Sequence, residues 1–383
     1  MTSPVTDVDV LIVGGGPAGS SVAWGLRGHG LRVAVLDKAS FPRNKVCAGW
    51  ITPAVAGALQ IDLDDYARGR TLQPINGFII GMMGAVAKEI RYDSGPVSYG
   101  IRRCEFDHYL LRRCGAELWL GQPLSDVRRR EDHWLVNDTI RARLIVGAGG
   151  HFCPVARVLG ARLGQAEMVV AAQEVEFEMN ADQGTACAVR ADTPELYFCP
   201  DLKGYGWVFR KGNWLNIGLG REDNHRLADR VAEFCEGLRI QGRIGFDPPA
   251  RFHGHAYLLS HHTQRPLATD GALLVGDATG LAYPQSGEGI RPAVESGLLA
   301  ARTILACQGD YSARGLHSYA ELIAQRFGTR PSSVPPADTT GNIAGWKQTL
   351  ARYALSTRWF NRHVVIDRWF LHRHQPVLVA GLP

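Results

Sequence analysis

The stretch from Asp7 to Gly19, DVDVLIVGGGPAG, constrains this chain more than any other. Val8 to Val13 is broken only by Asp9 and reads as a buried parallel strand. It ends in glycines, and Gly14, Gly16 and Gly19 fit G-x-G-x-x-G, with a helix expected from Pro17 to His29. Three demands explain the glycines: a turn too tight for Cβ, a backbone that must touch a pyrophosphate, and close packing of helix on strand. The helix N-terminus adds N–H groups and partial positive charge for the phosphates. A second apolar run, Leu31 to Leu36, closes a βαβ unit and ends at Asp37, whose carboxylate can accept hydrogen bonds from ribose hydroxyls. Strand, loop, helix and acid therefore stand in the order of a dinucleotide site. The motif does not choose between NAD and FAD.

At 383 residues the chain has length for two or three domains and a substantial core. A composition 45% hydrophobic and 21% charged is that of a soluble globular protein. Eight cysteines (Cys47, Cys104, Cys114, Cys153, Cys187, Cys199, Cys235 and Cys307) are scattered with no C-x-x-C, which speaks for a reducing compartment and against a disulfide framework or a zinc site. The pairs His253/His255, His261/His262 and His372/His374 lack further ligands, so no metal is expected. The polar, acidic N-terminus leads straight into the first strand, so no signal peptide is expected, and no uncharged run reaches the ~18 residues that span a bilayer. A cytoplasmic protein with no nucleic-acid partner is the expectation. The net charge of +5 sits at the C-terminus, where Lys347, Arg352, Arg358, Arg362, Arg368 and Arg373 face Asp367 alone.

After Asp37 and Lys38 comes a Pro/Gly loop, FPRNKVCAGW from Phe41 to Trp50, leading to a helix around Pro53 to Leu59. Its P-R-x-K-x-C resembles the geranylgeranyl reductase branch of the flavoprotein monooxygenase superfamily. The resemblance implies Arg43 along an FAD, with Cys47 and Ala48 close to the flavin ring; by position alone Cys47 also fits a small buried hydrophobe. R-x-x-F-D-x-x-L, from Arg103 to Leu110, resembles that superfamily's second FAD-contacting helix, and Phe106 and Leu110 carry an amphipathic spacing as well. The turn from Gly147 to Arg157 is similar to the Asp-Gly segment of flavin hydroxylases. Gly149 replaces the Asp that touches both FAD and nicotinamide there, which counts against ordinary nicotinamide-driven hydroxylation.

Tyr205, Trp207 and Phe209 resemble the reductase signature Y-x-W-x-F-P, with Arg210 in place of the Pro. Strand alternation puts the three aromatics on one face, as a wall for a long apolar substrate or as core filling. An apolar strand then delivers Gly276-Asp277, followed by P-x-x-G-E-G-I from Pro284 to Ile290. Here the resemblance implies Asp277 on the FAD ribityl chain. It also implies a long helix, beginning near Gly287 and including Gly289 and Ile290, aimed at the pyrimidine edge of an anionic reduced flavin.

These readings predict an α/β protein with a Rossmann-like FAD-binding domain from residues 1–61, 97–160 and 265–310. Interleaved with it is an antiparallel β-sheet substrate domain from 62–96 and 161–264, its sheet solvated on one face, and a helical C-terminal region spans 311–383. The FAD set is Gly14, Gly16, Pro17, Ala18, Gly19, Asp37, Lys38, Arg43, Cys47, Ala48, Arg103, Gly276, Asp277, Gly287, Gly289 and Ile290; the catalytic set is Cys47, Tyr205 and Trp207. The resemblance implies reduction of C=C bonds in a prenyl or similar apolar substrate by hydride from reduced FAD. Cys47 and Tyr205 are the candidate proton donors, and NAD(P)H or a ferredoxin-like protein the external electron donor. A monooxygenase acting on an aromatic or alkene, and a non-catalytic prenyl-binding scaffold, are the alternatives. Beyond a Pro/Ser break at Thr329 to Pro336, Trp359, Phe360, Trp369 and Phe370 interleave with the basic residues. That pattern suits a peripheral membrane-surface helix or a lid over the substrate domain with a solvated basic face.

Overall fold

The computed structural model describes residues 5–161, 169–223, 225–260, 263–329 and 345–379. His261, His262 and residues 330–336 of the expected Pro/Ser break lie outside the described residues. The opening strand, β1 (Thr6–Val13), lies inside an eight-stranded sheet. Its neighbours β2 (Val33–Asp37) and Ile140–Gly147 both run parallel to it. Glu117–Leu120 extends the sheet parallel beyond β2, and Ala272–Leu274 extends it parallel on the other side. Val10 and Ile12 pack toward helices α1 (Pro17–Leu26) and Ile290–Ala306, whereas Leu11 and Val13 pack with Trp134 and Val136 on the other face. Apolar residues are thus needed on both faces, which is why β1 does not alternate.

α1 and the helix Ile290–Ala306 approach each other closely. A Cβ on Gly297 would fall 2.5 Å from the Ala18 carbonyl oxygen, and one on Gly25 would fall 2.7 Å from Ala301 Cβ. Contacts in that order mean that the two helices run in the same direction. Both N-termini therefore reach the same end of the sheet, outside the carboxyl ends of its parallel strands, where open α/β sheets hold their ligands.

A second sheet of seven strands runs in the order His253–Leu258, Val169–Glu178, Trp214–Arg221, Gly204–Lys211, Glu195–Phe198, Gly77–Met82, Lys88–Arg91. Neighbours are antiparallel except Glu195–Phe198 with Gly77–Met82. The expected solvated face is corrected. Val208, Ile217 and Leu219 pack on Val231, Phe234 and Leu238 of a helix, Leu227–Ile240, on one side. Phe78, Leu196 and Phe209 pack on Leu355, Val365, Ile366 and Phe370 from the C-terminus on the other. The strand alternation was read without these two covering layers, one of which arrives from far along the chain.

Other details differ as well: α1 ends at Leu26, not His29. Ser98–Ile101 is a strand, pairing with Trp50–Ile51 and Leu72–Ile75 in a small sheet, and the helix carrying R-x-x-F-D-x-x-L follows it as Arg103–Arg112. The long helix begins at Ile290, not Gly287. The C-terminal stretch Asn361–Phe370 is wound as a π-type helix, with the Leu371 N–H donating to the Ile366 carbonyl at 2.8 Å. Its Phe370 ring stacks on Trp50 with centroids 5.5 Å apart and planes 8° from parallel, an arrangement contributing about 0.5–1.5 kcal/mol beyond the buried area. Tyr92 Oη adds a hydrogen bond to Asp367 Oδ1 at 2.9 Å. Among the described residues no helix is long and apolar enough to cross a membrane.

Candidate active site

A cavity of about 640 Å³ opens between the carboxyl end of β1 and one face of the seven-stranded sheet, within the usual ligand-pocket range of about 300–1,000 Å³. Gly14 turns the chain out of β1 at φ +116°, and a Cβ there would lie 2.4 Å from the Ala148 carbonyl oxygen. Only glycine meets both conditions. Gly16, Pro17 and Ala18 line the cavity at the N-terminus of α1, which has neither a side-chain cap nor an acidic residue in its first turn. Such a terminus suits an anionic ligand.

Asp37 also lines the cavity, yet its carboxylate already accepts the Gly15 N–H at 2.7 Å and the Ala39 N–H at 2.8 Å. It pins the glycine loop to the end of β2, a duty the sequence motif does not announce. Lys38, Arg43, Cys47, Ala48 and Arg103 line the same space. Arg43 and Arg103 converge on the fully buried Asp107: Arg103 donates to it at 2.8 and 2.9 Å, and Arg43 Nη2 lies 3.2 Å away. Asp107 stands in the R-x-x-F-D motif but was not singled out. Its carboxylate orients both cations toward the cavity.

Lys45 and His255 were missed as well. Lys45 Nζ lies 2.7 Å from His255 Nε2. Burial, then the charge of Arg103, pushes the Lys45 ammonium down to about 8. Burial and the Lys45 charge hold His255 well below the ordinary imidazole value, so it is neutral. No short-range spacing could have joined residues 210 positions apart.

The later motif arrives from the opposite side. Asp277, Gly287, Gly289 and Ile290 line the cavity, and the helix Ile290–Ala306 also begins without an acidic first turn or a side-chain cap. Gly19 and Gly276 stand behind the wall. A Cβ on Gly19 would lie 1.9 Å from the Gly14 carbonyl oxygen, and the Gly276 N–H donates to Ser296 Oγ at 2.9 Å. Glu288, inside P-x-x-G-E-G-I, lines the cavity, but neither carboxyl oxygen has a hydrogen-bond partner among the described residues. Burial pushes this carboxyl up to about 8 despite the opposing Arg291 charge. A neutral Glu288 leaves the positive end of the adjacent helix uncancelled.

Tyr205 and Trp207 form the apolar wall, their ring centroids 6.0 Å apart. The Tyr205 hydroxyl donates to the Ser286 carbonyl, tying sheet to loop. Phe209 lies deeper, its ring 5.8 Å from Trp50, and Phe370 takes its place on the cavity, 5.4 Å from Tyr205. The C-terminal aromatics were visible in the sequence, but nothing local said which would reach the site.

Comparison with known proteins decides the family. Residues 9–89 match the family described as FAD dependent oxidoreductase. A menaquinone reductase of Mycobacterium tuberculosis is 31% identical over 352 residues, covering 84% of this chain and 80% of the relative. The chain belongs to the geranylgeranyl reductase family. A digeranylgeranylglycerophospholipid reductase of Methanosphaera stadtmanae is 26% identical, with 85% of each chain covered. In fold, this geranylgeranyl reductase family member is similar to a geranylgeranyl bacteriochlorophyll reductase-like protein of Thermoplasma acidophilum, at a TM-score of 0.72 with 22% identity, 94% of this chain and 91% of that one covered. It is an FAD-dependent oxidoreductase. The two uncapped helix N-termini and the glycine cradle at Gly14 fit that cofactor.

Replacing Asp107 by Ala tests the anchor of the two arginines. Arg103 would be left buried and unpaired, so unfolding free energy in urea should drop by about 3–5 kcal/mol, with FAD affinity falling alongside. Unchanged stability would mean that Asp107 does not hold them.

Proposed function

We propose that this enzyme reduces isolated C=C bonds in a polyprenyl chain or a similar apolar substrate. The observation that carries the reading is one continuous cavity that joins the glycine loop and both helix N-termini to the wall of Tyr205, Trp207 and Phe370. The names of its relatives support the same class. Menaquinone and digeranylgeranylglycerophospholipid have different head groups, but both carry long isoprenoid chains.

When bound, FAD supplies a hydride for one carbon of the double bond, and the electrons reach it from an external donor, nicotinamide or ferredoxin-like. Gly14, Gly16, Pro17, Ala18 and Arg43 would hold its pyrophosphate, with Gly19 closing the turn behind them. Asp37 and Lys38 would take the ribose end, and Asp277, supported by Gly276, the ribityl chain. Gly287, Gly289 and Ile290 would meet the pyrimidine edge, with Ala48 and Arg103 opposite.

An isolated alkene resists hydride attack, so water must be excluded and charge pre-arranged. Tyr205, Trp207 and Phe370 exclude water and align the chain. The two helix N-termini, left positive by a neutral Glu288, favour negative charge beside the substrate. Of the two candidate proton donors, Tyr205 directs its O–H at the Ser286 carbonyl. Cys47 Sγ, next to the Arg103 guanidinium, is therefore the donor that this reading favours.

The test is to reduce the holoenzyme without oxygen and add a geranylgeranyl lipid. Flavin reoxidation with a saturated product is the expected result, and Cys47→Ala should keep its FAD while turning over about 100-fold more slowly. Reoxidation that requires oxygen and yields an oxygenated product would replace the reductase reading with the monooxygenase one.

A second reading concerns access to such a lipid. Leu350, Tyr353 and Trp359 are 60%, 70% and 68% exposed beside the exposed Arg352, Arg358 and Arg362. Exposed apolar and basic groups along one segment suit the surface of an anionic bilayer, where each basic residue contributes about 1 kcal/mol. Changing Leu350, Tyr353 and Trp359 together to Ser should weaken sedimentation with phosphatidylglycerol vesicles about tenfold or more without altering FAD content. Undiminished sedimentation would remove the membrane reading.

A further inference from the structure

The geometry points to Glu174 and Asn216 as positioning residues that brace the backbone of Cys47 and link it to the aromatic wall through Trp207. The inference rests on Cys47 bordering the reaction space. Strand register puts Glu174 and Trp207 both opposite Gly218, and Asn216 opposite Glu176, so the three lie close together on the sheet. A Cβ on Gly218 would fall 2.3 Å from the Trp207 ring, so the bare glycine makes room for the indole.

From that seat Trp207 Nε1 donates to Asn216 Oδ1 at 2.7 Å. This fixes which end of the Asn216 amide points where. Asn216 Nδ2 donates onward to the Cys47 carbonyl at 3.2 Å, and Glu174 Oε1 accepts the Cys47 N–H at 2.6 Å. Both backbone polar groups of Cys47 are therefore held by side chains of a rigid sheet. Glu174 is 5% exposed and Asn216 0%. Polar groups so deep persist only when hydrogen-bonded, and the sheet's own ladder needs neither side chain. Their partners are the Cys47 loop, each other, and for Asn216 also Trp207 and Glu176.

The brace also has a pH sense. Burial pushes the Glu174 carboxyl up to about 7; the Cys47 N–H, the Lys211 charge and Asn216 oppose this, and Glu176 adds to it. Lys211 is itself paired with Glu176 at 2.7 Å, and Arg103 faces Cys47 from the opposite helix. When Glu174 is ionised, each of its oxygens meets a donor, Oε1 the Cys47 N–H and Oε2 the Asn216 N–H at 3.5 Å. A proton on the carboxyl would weaken both oxygens as acceptors of these N–H groups, and the amide cannot flip to compensate without losing Trp207. The brace thus tightens as pH rises through about 7.

Amide hydrogen exchange at Cys47 in the intact holoenzyme tests this. Each hydrogen bond lost should cost about 3- to 10-fold in protection. After correction for the intrinsic exchange rate, wild-type protection should rise between pH 6 and pH 8. Glu174→Gln should lower it about tenfold and abolish that rise. Trp207→Phe keeps a ring but removes the N–H, and should lower protection about threefold at a residue whose backbone it does not bond. If Glu174→Gln leaves both the protection and its pH dependence intact, or Trp207→Phe moves nothing at Cys47, the brace is overturned. The readout requires no substrate, so its failure would leave the proposed reduction standing, and failure of that reduction would leave the exchange result standing.

Discussion

The near contact of α1 with the helix Ile290–Ala306 is the constraint on which the rest of the site depends. Gly25 and Gly297 present bare α-carbons where the other helix passes, and any Cβ there would meet a backbone oxygen or a methyl group at under 3 Å. Overpacking of this kind typically costs about 1–3 kcal/mol. The closeness aligns two N-termini whose motifs lie some 270 residues apart in sequence, and neither carries an acidic residue in its first turn. Two partial positive charges therefore meet at the edge of one cavity. Asp37, holding the Gly15 N–H, sets the glycine loop against that edge.

Opposite the helices, the seven-stranded sheet supplies a surface of different chemistry. Aromatic rings at Tyr205 and Trp207 face the cavity beside the buried polar groups Glu174 and Asn216. The C-terminal segment completes this surface. Phe370 reaches the cavity because the π-type turn carries it onto Trp50 and Tyr205. The same segment covers the sheet with apolar residues and leaves Tyr353, Trp359, Arg352, Arg358 and Arg362 exposed. An aromatic wall ending at a polar, positively biased edge suits the hydride chemistry proposed for an unactivated alkene.

Much of this was legible in the sequence, for identifiable reasons. Glycines at Gly14 and Gly16, Asp37, and the Gly276-Asp277 strand end are read locally, because close backbone approach and strand-to-loop geometry leave fixed spacings. Tyr205 and Trp207 shared a face because strands alternate. What stayed hidden was long-range pairing. Arg43 on Asp107, Lys45 against His255, and Asn216 beneath Cys47 are unions of distant residues that no period announces. The second covered face of the sheet was missed for the same reason, since its covering helices are not part of the strand pattern.

The central claim is that one cofactor site is assembled from both ends of the chain. A crystal structure of the FAD complex tests it most directly. The account predicts pyrophosphate oxygens within about 3 Å of the N–H groups that open α1, and the flavin pyrimidine edge at the N–H groups of Gly289 and Ile290, with Cys47 beside the ring. A flavin ring lying away from Gly289 and Ile290, or a pyrophosphate bound elsewhere than the Gly14–Ala18 loop, would contradict it.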